Sequence, residues 1–171
     1  MMLLVLGGSK CGKSSYAESL FSDFNGEKIY LATMRPFGDE AREAIERHRR
    51  ARFGKGFSTL ERSDDIGGAA IPEGAGVLLE DMGNLLANEM YIDEKIVDAR
   101  EKILKGIEEL QNTAELLVIV SNNVAADGNN YPKQTMLYIR HLSEINRAIA
   151  KYADKVVECV YNIPVVLKGH L

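Results

Sequence analysis

Residues Gly7 to Ser14 read GGSKCGKS and match the phosphate-binding pattern G-x-x-x-x-G-K-[ST] at every fixed position. Glycines let the backbone turn tightly enough for several N–H groups to face one phosphate chain. In this pattern Lys13 reaches the terminal phosphates and the Ser14 hydroxyl is a ligand for Mg²⁺. A glycine-rich turn could match by chance, but here the match lies between an apolar run and a helical stretch, as the motif requires. The stretch therefore predicts a nucleotide-binding loop formed by Gly7, Gly8, Ser9, Lys10, Cys11, Gly12, Lys13 and Ser14.

An acid near the metal is the second part that such a site needs, and it usually stands at the end of a neighbouring strand. The stretch VLLED offers Glu80 and Asp81 after an apolar run. Acids also end strands simply because solvent begins there. Given the phosphate-binding loop, we predict that one of the two acids holds the Mg²⁺.

A lone histidine, His48, lies among arginines in the stretch ERHRRARFGK. Imidazole can attack the α-phosphorus of a nucleotide and form a phosphoramidate, while Arg49 and Arg52 would neutralise the phosphates. The alternative is a packed core histidine beside a solvated arginine face. Spacing by itself leaves both interpretations open.

The elements that must position these residues follow from the hydrophobic pattern. Apolar runs predict strands at residues 1–8, 28–33, 76–84 and 114–123, and a terminal hairpin at 154–169 that turns at Asn162-Ile163-Pro164. Helical periodicity predicts helices at residues 14–21, 38–52, 92–111 and 134–152. Strands that alternate with helices indicate a mainly parallel sheet covered on both faces. Residues 54–75 and 123–133 are expected to be long loops of functional importance.

Composition limits the class of protein. The 171 residues are 46% hydrophobic and 27% charged, which predicts one globular domain over residues 1–171. A net charge of −4 argues against broad nucleic-acid binding. No apolar run approaches the ~20 residues that span a bilayer, and the short N-terminal run has no signal-peptide features. Cys11 and Cys159 have no metal-type spacing, so we expect a cytoplasmic protein.

Taken together, these motifs resemble the bifunctional adenosylcobinamide kinase/adenosylcobinamide-phosphate guanylyltransferases of cobalamin biosynthesis. The resemblance runs along nearly the whole chain. VLGGSKCGKSSYAE is similar to the family's phosphate-binding loop, DEAREAIERH to its D-E-M-x-x-R-I-x-x-H helix, and VLLEDMGNLLANEM to its acidic strand and following helix. YLATM, STLE, VIVSNNV and the C-terminal ADKVVECVYNIPVVLKG also correspond. Asn88 and Asn146 match asparagines of the pattern.

The resemblance assigns roles to particular residues. It implies that His48 carries GMP, and that Glu80 is the acid that holds Mg²⁺ together with Ser14. It implies a three-layer α/β phosphate-binding-loop fold similar to the RecA core, a homotrimer, a corrinoid substrate, and GTP (with ATP as a possible second donor). Outside the phosphate-binding loop, the implied nucleotide-binding residues are Ala32, Thr33, Met34, Arg49, Arg52, Glu61 and Glu80.

Three segments depart from the family pattern. N-E-V-G-x-G-I-V-P reads here as residues 122–130, NNVAADGNN, with a glutamate and two glycines lost. An R-D pair and a glycine of the next helix are replaced by Ile139, Arg140 and Ser143, and the family's R-P-x-x-W becomes the longer residues 52–57. These parts are expected to hold the corrinoid or to support phosphoryl transfer to it.

The resemblance thus implies a GTP-using cobinamide kinase and guanylyltransferase. Two other classes stay open at this point. One is a kinase of a different small metabolite in which His48 is structural, and the other is a degenerate nucleotide-binding protein without turnover.

Overall fold

A seven-stranded sheet forms the centre of the fold. The computed structural model describes residues 1–35, 54–124 and 131–170 and, between them, only positions 38, 39, 43 and 46. The strands of the sheet are β1 (Met2–Gly7), β2 (Lys28–Ala32), β3 (Phe57–Glu61), β4 (Gly76–Glu80), β7 (Leu116–Asn122), β8 (Lys155–Val160) and β9 (Ile163–Lys168). Their order is β3-β2-β4-β7-β1-β8-β9, with every neighbouring pair parallel except β8 and β9. The expected mainly parallel sheet is confirmed.

Helices cover both faces of this sheet. The described helices are α1 (Lys13–Ser19), α2 (Met82–Met90), α3 (Arg100–Thr113) and α4 (Lys133–Tyr152), with a 3₁₀ turn at Ile66–Gly68. Within the described part of the chain, no helix has both the length and the apolar character needed to cross a membrane.

The core has two halves because side chains alternate between the faces of a strand. Val5, Leu78 and Val118 pack with Ala17 and Phe21 on the α1 side. The opposite face packs against α2, α3 and α4 through a larger group that includes Leu4, Leu31, Leu79, Leu86, Ile103 and Ile145. Strands that bury both faces explain the unbroken apolar runs in the sequence, and the result is the predicted three-layer arrangement.

Two sequence predictions need correction near the middle of the chain. The strand predicted over 76–84 ends at Glu80, because Asp81 caps α2 with its side chain accepting a hydrogen bond from the Asn84 N–H. The loop predicted over 54–75 contains the edge strand β3. Its sequence, FSTLE, has only two apolar side chains, so it lacks the apolar run that marks the inner strands.

The helix predicted over 92–111 begins only at Arg100. A two-stranded hairpin, β5 (Tyr91–Ile92) and β6 (Lys95–Ile96), precedes it. Asp93 and Glu94 form its turn with φ of 48° and 63°, a left-handed conformation that no helix interior allows.

The C-terminal hairpin turns earlier than predicted. Val160 pairs with Ile163, so the turn consists of Tyr161 and Asn162, whose φ values are 49° and 64°. Positive φ at both positions is typical of the two-residue turns that match strand twist. The prediction of a turn at Asn162-Ile163-Pro164 is therefore one residue late. The helix predicted over residues 38–52 lies mostly outside the described residues, although Asp39, Glu43 and Glu46 are helical.

Candidate nucleotide-binding site

Several residues singled out in the sequence meet at one edge of the sheet, where the parallel strands end. Ala32, the last residue of β2, lies opposite both Glu61 on β3 and Glu80 on β4. Gly7, the last residue of β1, lies opposite Asn122 on β7. Ligands bind outside the carboxyl ends of strands in open α/β sheets, so this edge is the candidate site.

The phosphate-binding loop connects β1 directly to α1. Gly12 has φ of 91°, and a Cβ placed on it would lie 2.1 Å from the Oδ1 atom of Asn162. A Cβ on Gly7 would lie 2.4 Å from the Cys11 Sγ atom and 2.9 Å from the carbonyl oxygen of Cys159. Both glycines of the motif are thus required by space, and at Gly12 also by backbone conformation.

Lys13 folds back over this loop. Its Nζ atom donates a hydrogen bond of 3.0 Å to the carbonyl oxygen of Gly8. An ammonium group has three N–H donors, so this bond leaves Lys13 able to contact phosphate oxygens as well. Phosphate binding by Lys13 stays a prediction.

Ser14 and Glu80 meet across the sheet. The Ser14 hydroxyl donates a hydrogen bond to Oε1 of Glu80. Glu80 is only 8% exposed, so its carboxylate is held at the floor of the site. A hydroxyl and a carboxylate are hard oxygen ligands of the kind that Mg²⁺ prefers.

Asp81, the other candidate acid, is engaged elsewhere. Its Oδ1 atom accepts from the backbone N–H of Asn84 at 2.9 Å, and its Oδ2 atom accepts from the Asn122 side-chain amide at 3.1 Å. The first bond caps α2, which typically stabilises a protein by ~1 kcal/mol. The structure therefore separates the two acids into a carboxylate that contacts the phosphate-binding loop and a carboxylate that organises α2.

Thr33 fixes the backbone between these acids. Its buried hydroxyl donates to the carbonyl oxygen of Asp81 and accepts from the Asp81 N–H, both at 2.8 Å. The Asn88 amide donates to the carbonyl oxygens of Thr33 at 2.8 Å and Ser63 at 2.9 Å. Asn88 thus ties the segments that follow β2 and β3. Nucleotide contact by Ala32, Thr33 or Met34 stays a prediction.

Side chains of α4 contact the end of β7 and the first turn of α2. The Asn146 amide donates to the carbonyl oxygen of Asn122 at 3.2 Å, and the Tyr138 hydroxyl donates to that of Gly83 at 3.1 Å. Burial, together with the negative charge of Asp81, raises the pKa of Tyr138 to about 12. The hydroxyl therefore stays a donor across the physiological range.

The sequence analysis missed two residues of β8 and its hairpin: Asn162, which contacts the phosphate-binding loop, and Glu158, which contacts the residue that follows β7. The N–H of Asn162 donates to the carbonyl oxygen of Cys11 at 2.8 Å. The Glu158 carboxylate accepts from the Asn123 side-chain amide at 3.1 Å, and the Asn123 N–H donates to the Gly7 carbonyl oxygen at 3.2 Å. An acid within the apolar run KVVECV was the available signal for Glu158.

His48, Arg49 and Arg52 lie outside the described residues, so their roles stay predictions. Described residues on either side of that segment form ion pairs with other parts of the structure. Arg35 forms an ion pair with Asp64 at 2.8 Å, and Lys55 forms one with Glu18 on α1. Both ion pairs involve residues that lie in or next to the helices and strands that build the site.

Metal binding by protein side chains alone has no support in the described ranges, where no group of three or more His, Cys, Asp or Glu residues could hold an ion. Mg²⁺ in phosphoryl-transfer sites is usually held by one or two protein oxygens together with substrate phosphates. Ser14 and Glu80 fit that smaller ligand set.

Comparison with known proteins shows similarity over nearly the whole chain. The sequence model of the family described as "Cobinamide kinase / cobinamide phosphate guanyltransferase" matches residues 3–167. The bifunctional adenosylcobalamin biosynthesis protein CobU of Escherichia coli (strain K12) is 30% identical over 98% of this chain and 100% of its own length. Its counterpart CobP of Pseudomonas aeruginosa is 27% identical over 97% of this chain and 96% of its own length.

A solved structure shares the fold. It is an ATPase from the type III secretion system of pathogenic bacteria, with a TM-score of 0.52 and 11% identity. The match covers 92% of this chain and 50% of the ATPase chain, so this chain spans half the length of that structure. At this identity the likeness shows the three-layer α/β architecture alone.

Proposed function

Because the chain belongs to the cobinamide kinase/cobinamide phosphate guanyltransferase family, we propose that it first phosphorylates adenosylcobinamide and then transfers GMP from GTP to the product. The contact that supports this proposal best is the one between Ser14 and Glu80 beside the folded-back Lys13. It places an ammonium, a hydroxyl and a carboxylate at the carboxyl edge of the sheet, where a triphosphate would meet all three.

In the kinase step, the phosphate-binding loop and Lys13 hold the triphosphate of the donor nucleotide. The acceptor hydroxyl attacks the γ-phosphorus, an O–P bond forms, and the bond to the β-phosphate oxygen breaks with its electron pair leaving on the nucleoside diphosphate. The lysine charge offsets the negative charge of the phosphates, which is most of what a protein contributes to this reaction. Mg²⁺ held by Ser14 and Glu80 would supply further charge neutralisation at the phosphate oxygens.

In the guanylyltransferase step, we propose that a ring nitrogen of His48 attacks the α-phosphorus of GTP and releases pyrophosphate. The phosphate of adenosylcobinamide phosphate then attacks the same phosphorus, the P–N bond breaks, and the imidazole is regenerated. Splitting the transfer in two gives each step a good leaving group. Arg49 and Arg52 are proposed to hold the phosphates, since a guanidinium stays protonated and does not compete as a nucleophile.

Two radiolabels test the two steps separately. With Mg²⁺ and adenosylcobinamide, label from the γ-phosphate of ATP or GTP should appear on the corrinoid. Label from the α-phosphate of GTP should become bound to the protein in a form that acid removes and base does not. Added adenosylcobinamide phosphate should then discharge the label from the protein.

The result also separates the alternatives. A kinase of another metabolite would never bind α-label, and would leave cobinamide unlabelled. A degenerate nucleotide-binding protein would bind GTP and turn over nothing. Either outcome would overturn the proposal.

The proposal also covers the oligomeric state, the domain organisation and the cellular location of the protein. The family resemblance supports a homotrimer formed by copies of a single-domain chain. Exposed apolar side chains on the β5–β6 hairpin and β9, among them Ile92, Ile163 and Leu167, are surfaces that such contacts could cover. Sedimentation of the pure protein tests the trimer, and cell fractionation tests the proposed cytoplasmic location.

A further inference from the structure

The two cysteines of the chain meet at the phosphate-binding loop. Both Cys11 and Cys159 are free thiols. Cys11 belongs to the loop itself, and Cys159 lies on β8 directly opposite Gly7, the first residue of the loop. Cys159 packs in the part of the core on the α1 side of the sheet, and Cys11 packs against the same part. The fold thus brings two thiols that are distant in the sequence to the same side of the loop.

Gly7 leaves open the space between these two side chains. A Cβ placed on Gly7 would lie 2.4 Å from the Cys11 Sγ atom and 3.6 Å from the Cys159 Cβ atom. Those two atoms are therefore no farther apart than the sum of these distances. In a disulfide the sulfur atoms are ~2.0 Å apart and the Cβ atoms are ~3.8 Å apart. A bond between the cysteines is thus within reach of a side-chain rotation together with a shift of the loop.

The two thiols differ in their access to solvent. Cys11 is half-buried, whereas Cys159 is only 2% exposed. Burial, together with the Cys11 thiol, raises the pKa of Cys159, and the Lys13 ammonium opposes part of this rise. Attack on a disulfide requires a thiolate that the oxidant can reach. Cys11 is therefore the thiol that reacts first, and Cys159 is the thiol that completes the bond.

We propose that Cys11 and Cys159 are an oxidative modification site whose disulfide closes the phosphate-binding loop to nucleotide. The oxidant is a low-molecular-weight disulfide such as glutathione disulfide. The Cys11 thiolate attacks one of its sulfur atoms, and one glutathione leaves as its thiolate. The Cys159 thiolate then attacks the Cys11 sulfur of the mixed disulfide, and the second glutathione leaves. The two cysteines together lose two electrons and two protons, which the two glutathione thiols carry away.

The bond would act on nucleotide binding because it restrains the middle of the loop. The Cys11 carbonyl oxygen accepts a hydrogen bond of 2.8 Å from the Asn162 N–H. Gly12 packs so closely on Asn162 that a Cβ there would lie 2.1 Å from its Oδ1 atom, so the loop has little room to adjust on that side. An anion-binding loop depends on the conformation of successive backbone N–H groups. A crosslink at Cys11 should therefore disfavour the conformation that binds phosphate, an inference that rests on the proposed binding of nucleotide at this loop.

Mass spectrometry after exposure to glutathione disulfide identifies the residues that react. Intact wild type should lose two hydrogens, and digestion without reductant should give one pair of peptides joined through Cys11 and Cys159. Cys159→Ala should instead keep one glutathionyl group on Cys11, because the second thiol is missing. Cys11→Ser should stay unmodified. A wild type that keeps both thiols or joins two copies of the chain, or a glutathionyl group on Cys159 in Cys11→Ser, overturns the proposal.

The affinity for GTP tests the effect of the bond. Oxidised wild type should bind GTP at least ~10-fold more weakly than reduced wild type, within the range of typical couplings between sites. Treatment with dithiothreitol should restore the affinity. Reduced Cys159→Ala is the matched control and should bind GTP as reduced wild type does, with the melting temperature of each protein measured beside it. Oxidised wild type that binds GTP as tightly as the reduced protein contradicts the proposed closure.

The coupling must also act in the opposite direction. If the disulfide weakens GTP binding, then GTP must oppose the disulfide by the same factor. In a glutathione buffer that oxidises half of the protein, saturating GTP with Mg²⁺ should return most of it to the dithiol. An oxidised fraction that GTP leaves unchanged overturns the proposal.

These measurements need no corrinoid, so they distinguish this inference from the proposed function. Reduced wild type that binds GTP but does not label cobinamide would contradict the proposed acceptor, and the effect of the disulfide would still be measured on GTP affinity. Reduced wild type that binds no GTP would contradict both the proposed function and the closure of the loop.

Discussion

The Ser14 hydroxyl donates a hydrogen bond to the Glu80 carboxylate, although β1, which precedes the phosphate-binding loop, and β4, which ends at Glu80, are not neighbours. Strand β7 lies between the two, so the contact spans the carboxyl end of a whole strand. It forms because Ser14 lies in the first turn of α1, directly after the phosphate-binding loop, while Glu80 is the last residue of β4. This one contact distinguishes Glu80 from Asp81 and underlies the first prediction.

Glu80→Gln should lower Mg²⁺-dependent turnover at least ~10-fold and change nucleotide affinity less, because it removes an anion that would hold the metal and keeps the side-chain shape. Turnover measured against Mg²⁺ concentration checks this. The matched variant is Asp81→Asn, which alters an acid one residue away. It should keep the Mg²⁺ dependence and weaken the cap of α2, lowering the free energy of unfolding by up to ~1 kcal/mol. The reverse pattern would give the metal role to Asp81.

Lys13→Ala should abolish nucleotide-dependent activity and leave the fold intact. The side chain's described contact is with the Gly8 carbonyl oxygen, so its loss removes a point charge from the phosphates without opening the core. Lys10→Asn is the matched control in the same loop. Lys10 has φ of 56°, a conformation that asparagine accepts, and this variant should keep most of the activity. Wild-type turnover in Lys13→Ala would mean that GGSKCGKS does not bind phosphate in this chain.

Tyr138→Phe should lower the free energy of unfolding at pH 8 by about 1 kcal/mol, the typical net effect of one hydrogen bond. The sign of the pH effect follows from burial, which raises the pKa of Tyr138 from 10.0 to about 12. Below about pH 10 both folded and unfolded tyrosine are protonated, and the stabilisation is fully present. Above it the unfolded state loses the proton first, so the stabilisation falls as the pH rises through 12.

Urea unfolding of wild type and Tyr138→Phe from pH 8 to pH 11.5 checks this prediction. The two proteins share their other titrating groups, so the difference between them isolates the tyrosine. A difference that stays constant over this range would show that Tyr138 is not held in its neutral form.

His48→Ala should eliminate covalent attachment of GMP and with it the transferase step, while phosphoryl transfer from the γ-position survives. Imidazole is the strong nucleophile of that segment near neutral pH, and a phosphoramidate should be labile in acid and stable in base. His170→Ala is the control at an exposed position. His141 on α4 is buried, so His141→Gln is the gentler second control. Label that persists in His48→Ala would assign the nucleophile elsewhere.

Much of the local structure was predictable because its signals are local. The phosphate-binding loop is a contiguous motif, and the buried strands β1, β2, β4 and β7 are apolar runs bounded by polar or glycine residues. The helical stripe of α4 was read from spacing, and Leu142, Ile145 and Ile149 are indeed buried. Where the local signal was weak the predictions were wrong, as with the polar edge strand β3 and the short β5–β6 hairpin.

The sequence by itself therefore determined the fold class, the phosphate-binding loop and two candidate acids. Only the tertiary structure decided which groups each acid contacts. The place of β7 between β1 and β4, the cap that Asp81 forms on α2 and the meeting of Glu158 with Asn123 all depend on residues that are distant along the chain. Local patterns encode backbone conformation and burial. The order of strands is set by how all the helices and strands pack together, and that order selects which side chains meet at the sheet edge.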